Sequence, residues 1–97
     1  MNIEGKVAVI TGGASGLGRA TAEKIIAKGG KVAVLDLNKD LATQTASELG
    51  DAKAYEVNVT EDASVKTAID SVKNDFGTIH INVNCAGIGA ASRTVGK

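Results

Sequence analysis

The chain has 97 residues, of which 43% are hydrophobic and 23% charged, a composition that fits one small folded domain and excludes a two-domain enzyme, a disordered chain and a collagen-like repeat. Eleven basic residues balance eleven acidic ones, so no long-range positive field would gather nucleic acid or anionic lipid, and we expect neither as a partner. A single cysteine excludes an internal disulfide and a cysteine-based zinc site, so we expect a reducing compartment and no metal. No apolar run approaches the roughly 20 residues of a membrane span, so we expect no membrane insertion.

Three strand–helix units and a final strand follow one another along the chain. Short apolar runs rich in β-branched residues predict buried parallel strands, and apolar positions at helical spacing predict the helices between them. The predicted strands are residues 6–11, 31–37, 52–59 and 79–86. The predicted helices are residues 15–28, a second that begins after the N-cap Asn38 and ends at Gly50, and a third that begins after the N-cap Thr60 and ends at Gly77.

The alternation of strands and helices determines the predicted topology. Right-handed crossovers between parallel strands predict an α/β fold, the N-terminal half of a Rossmann-type doubly wound sheet with strand order 3-2-1-4. Leu17 in the first helix and Leu41 in the second are among the apolar residues that recur at helical spacing. Such sheets bind ligands beyond the carboxyl ends of their strands, where the order reverses between the first and fourth strands. We therefore expect the functional residues at these strand ends.

A glycine-rich segment, Thr-Gly-Gly-Ala-Ser-Gly-Leu-Gly at residues 11–18, lies between the first predicted strand and the first predicted helix. Gly12 would permit the sharp turn, Gly16 would let the backbone approach a pyrophosphate, and Gly18 would let the helix pack closely on the sheet. The alternative is a glycine-rich turn with no ligand. A nucleoside triphosphate loop fits less well, because Arg19 follows where such a loop carries the Lys-Ser/Thr pair.

Asp36 ends the second predicted strand, close to the spacing of about 20 residues at which an acidic group holds an adenosine ribose in dinucleotide sites. Its carboxylate would accept from both ribose hydroxyls and would repel a 2′-phosphate, which favours NAD over NADP. No Arg or Lys replaces Asp36 at this position, and the next two residues are the uncharged Leu37 and Asn38. The alternative is an aspartate that only caps the second helix.

Two further strand ends carry candidate residues. The Asn58 amide could hydrogen-bond an adenine edge while the Val59 backbone lies against the ring; the alternative is that Asn58 is a turn residue. At the end of the fourth strand, small residues would let a ribose approach the backbone, and the Asn84 amide could bridge neighbouring strands. We interpret Cys85 as a small buried hydrophobic residue rather than a reactive thiol, and His80 as a surface residue away from the site.

Together these motifs resemble the N-terminal half of the short-chain dehydrogenase/reductase family over essentially the whole chain. The resemblance implies that residues 1–97 form one NAD-binding domain. It also implies a cofactor role for residues that line the phosphate loop, the adenosine ribose, the adenine and the second ribose: Gly12, Ser15, Gly16, Leu17, Gly18, Asp36, Asn58, Val59, Cys85, Ala86 and Gly87. One position departs from the pattern, since the family usually carries Asp where Asn58 stands, and an amide has one acceptor oxygen instead of two.

The catalytic residues of the resembled family have no counterpart in the chain. Family catalysis uses a serine and a tyrosine followed four residues later by a lysine, whereas Tyr55 is the only tyrosine and Val59 follows it at that spacing. We therefore assign no catalytic residue and expect a truncated product, splice form or partial gene model that is inactive alone. The resemblance further implies a homotetramer for the full-length form and, from its 3-hydroxyacyl-CoA and hydroxysteroid dehydrogenases, a mitochondrial location, with a cytoplasmic one as the alternative.

Three functions are consistent with these patterns. The first is the NAD-binding part of an oxidoreductase that moves hydride between NAD and a secondary hydroxyl of the 3-hydroxyacyl-CoA or hydroxysteroid type. The second is a non-enzymatic product that acts by association with a partner or a full-length subunit. The third is a methyltransferase, which would usually carry an acidic residue at the end of the first strand, where Thr11 stands.

Overall fold

The computed structural model describes residues 2–14 and 16–85, so the predicted site residues Ser15, Ala86 and Gly87 lie outside the described part of the chain. The strands are β1 (Val7–Thr11), β2 (Lys31–Asp36), β3 (Ala52–Glu56) and β4 (Ile81–Asn84), and the helices are α1 (Gly16–Ala27), α2 (Lys39–Leu49) and α3 (Asp62–Phe76). All paired strands are parallel, in the order β3-β2-β1-β4. The predicted fold class and strand order are confirmed. Among the described residues, no helix has the length and apolarity needed to cross a membrane.

The two central strands are buried on both faces, which explains their continuous apolar sequences. Ile10 and Val34 lie on the face covered by α1 and α2, whereas Val9 and Leu35 lie on the face covered by α3, and all four are fully buried. Each such side chain stabilises the fold by about 1.5–3 kcal/mol relative to exposure. The core therefore holds the carboxyl ends of β1 and β2 side by side, where the candidate site lies.

Two leucines at helical spacing lie outside the buried faces of their helices. Leu17 is 54% exposed and Leu41 is 42% exposed, so neither belongs to the core. The residues that the helices bury are small apart from one isoleucine: Gly18, Ala22 and Ile25 from α1, and Ala42, Thr45 and Ala46 from α2. Small residues allow the close approach of helix to sheet, and each leucine lies one position before this stripe, where it faces solvent.

Helix capping confirms one prediction and corrects another. Asn38 caps α2, because its Oδ1 accepts a hydrogen bond of 3.0 Å from the Leu41 backbone amide. Thr60 does not cap α3; the N-cap is Glu61, which makes no side-chain capping bond. Because α3 begins at Asp62, Glu61 rather than Thr60 takes the N-cap position, and the Thr60 hydroxyl donates to Asn58 Oδ1 at 2.6 Å.

Several strand ends lie inside the predicted ranges. β2 ends at Asp36 rather than residue 37, because the Asp36 carboxylate accepts from the Asn38 backbone amide at 3.1 Å and turns the chain. β3 ends at Glu56, so Asn58 and Val59 lie in the loop that follows it. β4 is shorter than predicted at its start, and the predicted end at residue 86 lies outside the described residues.

The outer edge of β4 is open in the described part of the chain, since β4 pairs only with β1. Ile81 and Val83 on this strand are only half-buried, and unpaired apolar strands promote association. We expect a polypeptide of these 97 residues to associate with increasing concentration in analytical ultracentrifugation and to be marginally stable. Asn82→Lys places a charge on the exposed face of the edge strand and should reduce association. A monomer at every concentration, with reversible unfolding of several kcal/mol, would contradict this prediction.

Candidate functional site

A cleft of about 340 Å³ opens where the strands end, and clefts of this size hold small ligands. Its walls come from the turn after β1, the ends of β2 and β3, and the residue after β4: Gly12, Leu35, Asp36, Leu37, Val57, Asn58, Val59, Thr60 and Cys85. Five of these are predicted site residues: Gly12, Asp36, Asn58, Val59 and Cys85. The reversal point between β1 and β4 is therefore the place where the candidate residues meet.

Three of the four glycines in the glycine-rich segment differ in their structural requirements. Gly12 has φ of 71°, in the left-handed region that favours glycine. A Cβ on Gly18 would collide with the Gly12 carbonyl oxygen and lie 2.8 Å from Gly13 Cα, whereas a Cβ on Gly16 would meet nothing within 4 Å. The turn thus depends on Gly12 and Gly18 for its own geometry and leaves open space beside Gly16.

The remaining residues of this motif lie at the start of α1 rather than in the cleft wall. Gly16, Leu17 and Gly18 form the first turn of α1, and this turn contains no acidic residue. The N-terminus of a helix carries a partial positive charge from the aligned peptide dipoles. This turn is therefore suited to a negatively charged group such as a phosphate.

The Asp36 carboxylate joins two loops at the edge of the cleft. Oδ2 accepts from the Ala14 backbone amide at 3.2 Å, and Oδ1 accepts from the Asn38 backbone amide at 3.1 Å. Asp36 does not cap α2, whose N-cap is Asn38; it stabilises the loop before α2 and also holds the glycine-rich turn. A carboxylate offers about four acceptor positions, so two hydrogen bonds leave acceptor capacity for ligand hydroxyls.

The charges around the cleft do not favour an additional phosphate near Asp36. No residue that lines the cleft within the described chain is Lys or Arg. Arg19, at the start of α1, lies 2.6 Å from Glu48 and 3.3 Å from Glu23. Its hydrogen bond to Glu48 is the main cause that raises the pKa of Arg19 and lowers that of Glu48. This guanidinium is therefore engaged by α2 and by its own helix.

Two exposed apolar residues flank the cleft and give it a ligand-sized apolar surface. Leu37 is 65% exposed and Val59 is 46% exposed, and both line the cleft. Sequence reasoning assigned Val59 but missed Leu37 and Thr60. Leu37 could have been found from its position, because an apolar residue directly after the acidic end of β2 cannot be buried in the sheet and is available to contact a ligand.

Asn58 belongs to a turn and to the cleft at once. Its Oδ1 accepts from the Thr60 backbone amide at 3.0 Å and from the Thr60 hydroxyl at 2.6 Å, while its backbone amide donates to Ser64 Oγ at 2.9 Å. The interpretation of Asn58 as a turn residue is therefore confirmed. The side chain also lines the cleft, so the structural role leaves a ligand role open.

The ends of β1 and β4 are fastened together beside the cleft. The Thr11 hydroxyl donates to Asn84 Oδ1 at 2.9 Å, and the Cys85 backbone amide donates to the Thr11 carbonyl at 2.8 Å; the predicted bridge between strands is confirmed. Cys85 is 7% exposed, and burial raises the pKa of its thiol, as expected for a small buried residue. His80 is exposed at the opposite end of the sheet, where Nδ1 accepts from the Val7 amide at 3.0 Å.

Strand order 3-2-1-4, a glycine-rich turn after β1 and an acidic residue at the end of β2 define the N-terminal half of a Rossmann-type α/β fold. Residues 6–96 match the family model of the short chain dehydrogenases, and the chain belongs to this family. It is 44% identical over 94 residues to human 3-hydroxyacyl-CoA dehydrogenase type-2, covering 96% of this chain and 36% of that protein. It is 41% identical over 90 residues to D-threitol dehydrogenase of Mycolicibacterium smegmatis, covering 89% of this chain and 35% of that protein.

Solved structures of similar proteins show the same fold with cofactor. A Brucella melitensis 3-ketoacyl-(acyl-carrier-protein) reductase complexed with NADH superposes with a TM-score of 0.80 at 37% identity, over 82% of this chain and 33% of that one. An NAD⁺-bound xylitol dehydrogenase superposes with a TM-score of 0.79 at 32% identity, over 84% of this chain and 33% of that one. The chain thus spans about a third of the length of the relatives it matches.

Proposed function

We propose that the chain is the NAD-binding part of a short-chain dehydrogenase. The observation that carries this proposal is the cleft itself, in which the Asp36 carboxylate, the glycine-rich turn and the loop after β3 meet at the reversal point of the sheet. Bound NAD would supply a hydride acceptor. The residues of this chain would hold its adenosine half, and we assign no proton-transfer step to them.

The residues present fit the parts of a dinucleotide. The α1 N-terminus and the open space beside Gly16 suit the pyrophosphate, and the spare acceptor positions of Asp36 suit the ribose hydroxyls. The exposed side chains of Leu37 and Val59 suit the two faces of the base. Ser15, Cys85, Ala86 and Gly87 complete the proposed site through the family resemblance.

Binding of the cofactor is the direct test of this proposal. We expect NAD to give a saturable isotherm in titration calorimetry with the purified 97-residue chain, and NADP to bind more weakly because Asp36 repels its 2′-phosphate. Gly16→Val provides the control, because a Cβ at this position meets nothing within 4 Å and the valine side chain would extend into the space proposed for the pyrophosphate. If NAD fails to bind, or binds Gly16→Val as tightly as the native chain, the proposal is wrong.

For the complete protein we propose oxidation of a secondary hydroxyl of the 3-hydroxyacyl-CoA or hydroxysteroid type. Support comes from the similarity to 3-hydroxyacyl-CoA dehydrogenases type-2, at 40–45% identity in four species. The chain is similarly identical to a D-threitol dehydrogenase, so similarity over this part alone does not identify the substrate. A homotetramer and a mitochondrial or cytoplasmic location are proposals of the same kind, testable by light scattering and cell fractionation of the full-length form.

A polypeptide of these 97 residues is expected to show no dehydrogenase turnover. Its only tyrosine, Tyr55, donates a 2.6 Å hydrogen bond to Asp75, and burial is the main cause that raises its pKa; it lies on β3 outside the cleft residues. General acid–base assistance commonly raises a reaction rate about 10²–10⁴-fold, and these 97 residues contain no tyrosine followed four residues later by a lysine to provide it. NADH formation from 3-hydroxyacyl-CoA or a hydroxysteroid should stay at the no-protein rate, with a complete family member as positive control. Turnover above that rate would refute this prediction.

The open edge of β4 supports a second proposal, association with a partner chain or a full-length subunit. Mixing the labelled 97-residue chain with a full-length family member should then give a complex in sedimentation, which Asn82→Lys should weaken. Failure of the complex to form at micromolar concentrations would eliminate this second function and leave the first untouched.

A further inference from the structure

The residue directly before β4, His80, is fastened to β1 by both its backbone and its side chain. Its backbone amide donates to the Val7 carbonyl at 2.9 Å, and its imidazole Nδ1 lies 3.0 Å from the Val7 backbone amide. Val7 is 3% exposed and lies one residue before the paired register of the two strands, which begins at Ala8 and Ile81. The imidazole therefore closes the β1–β4 pairing at its amino end.

The hydrogen bond from Val7 determines which ring nitrogen of His80 carries a hydrogen. A backbone amide is a donor only, so Nδ1 must be the nitrogen without a hydrogen, and the neutral ring carries its hydrogen on Nε2. Turning the ring over would point a carbon at the Val7 amide and leave that amide without this acceptor. A protonated imidazole has a hydrogen on both nitrogens and no acceptor. It would set donor against donor and cannot make this bond.

The surroundings of the ring do not offset that loss when it gains a proton. Within the described chain His80 forms no ion pair, and its side chain is exposed to water. The charged residues of the adjoining segments are Glu4 and Lys6 before β1, and Lys73 and Asp75 at the end of α3. Carboxylates and lysines ordinarily keep their charges between about pH 5.5 and 8. Over this range the ring changes its charge while these neighbours keep theirs.

We propose that His80 is a proton-sensitive clasp between β1 and β4, in which the neutral ring fastens the amino end of β4 and protonation releases it. Only the neutral ring makes the bond, so its contribution is present at neutral and higher pH. The contribution is lost as the pH falls through the range in which histidine gains a proton. At the other end of the strand, the Thr11 hydroxyl bond to Asn84 involves no group that titrates in this range. The clasp is independent of the proposed cofactor.

Two substitutions separate the acceptor from the proton that removes it. His80→Asn provides an amide oxygen at about the distance from the backbone at which Nδ1 stands, and this oxygen gains no proton in the range. His80→Phe keeps a planar ring and has no acceptor. His80 is the only histidine of the chain, so neither variant leaves a second imidazole to titrate. Folding of each variant is checked by circular dichroism and thermal unfolding.

Nuclear magnetic resonance measures the clasp directly in the native chain. At about pH 8 we expect ¹⁵N shifts of a ring that is protonated on Nε2 alone, and a coupling across the hydrogen bond between the Val7 nitrogen and Nδ1; the coupling should vanish at about pH 5.5. The hydrogen-exchange protection factor of the Val7 amide, which is corrected for the pH dependence of the exchange chemistry, should fall about 5- to 10-fold over the same interval.

The variants are expected to divide this behaviour between them. His80→Asn should keep the Val7 protection factor constant within about 2-fold across the interval, whereas His80→Phe should have the lower value at both pH values. A proton on Nδ1 at the higher pH would overturn the inference, and so would a native protection factor that does not change with pH or an equal fall in His80→Asn. The first two results come from the native chain, so they decide the matter even if a variant fails to fold.

Discussion

Asp36→Ala is expected to weaken NAD binding about 10- to 150-fold and to leave NADP binding nearly unchanged, so that the preference between the two cofactors collapses. The substitution removes a charge-assisted hydrogen bond to the ribose, worth roughly 1.5–3 kcal/mol. For NADP the same carboxylate is a repulsive neighbour of the 2′-phosphate, so its removal offsets the lost contact. No cleft-lining cation in the described chain would substitute for it.

The structure adds a second consequence of this substitution. The carboxylate also anchors the amides of Ala14 and Asn38, so part of the loss in Asp36→Ala could come from a loosened glycine-rich turn. A loosened turn would weaken NAD and NADP alike, because both share the pyrophosphate. Titration of both cofactors separates the two effects, and Gly16→Val is the reference for uniform weakening. Equal losses for NAD and NADP in Asp36→Ala would show that Asp36 only anchors the loops.

The topology could be predicted from sequence because it depends on local patterns, such as apolar strands and helix-ending glycines, that do not require knowledge of tertiary contacts. β1 and β2 are apolar on both faces, which only a doubly covered parallel sheet requires, and Gly50 and Gly77, with φ of 99° and 91°, mark helix ends by backbone geometry alone. The position of Asp36 could be predicted for a similar reason, since a charged residue at the end of a buried strand must lie at the edge of the sheet.

The details that were not accessible depend on competition between neighbours. Leu17 and Leu41 share the apolar spacing of their helices, but the residues that pack closely on the sheet are the small Gly18, Ala22 and Ala42. Thr60 has the residue type of an N-cap, but its hydroxyl donates to the Asn58 side chain and α3 begins after Glu61. Hydrophobic periodicity alone predicts neither which helix residues pack on the sheet nor which residue caps α3.

The entry into α1 gives the second large expected effect, a loss of about 2–3 kcal/mol of unfolding free energy in Gly18→Ala. The added methyl group would meet the Gly12 carbonyl oxygen and carbon and Gly13 Cα, all of them backbone atoms. Backbone atoms of a turn fastened to Leu35 through the Gly12 amide at 2.7 Å cannot move aside as a flexible side chain can. Overpacking of this kind typically costs about 1–3 kcal/mol, a large share of the 5–15 kcal/mol of a typical domain.

Gly16→Ala makes the same chemical change two positions earlier in the same helical turn and is the matched control. Its methyl group meets nothing within 4 Å, so its unfolding free energy should stay within about 1 kcal/mol of the native value, the range of helix propensity differences. Urea unfolding followed by circular dichroism measures both, with an unchanged m value showing that stability alone has changed. Because the loss is attributed to contact with the turn, Gly18→Ala must be much less stable than Gly16→Ala. Equal stability of the two variants would mean that α1 does not need glycine to pack against the turn, and that Gly18 serves only the ligand.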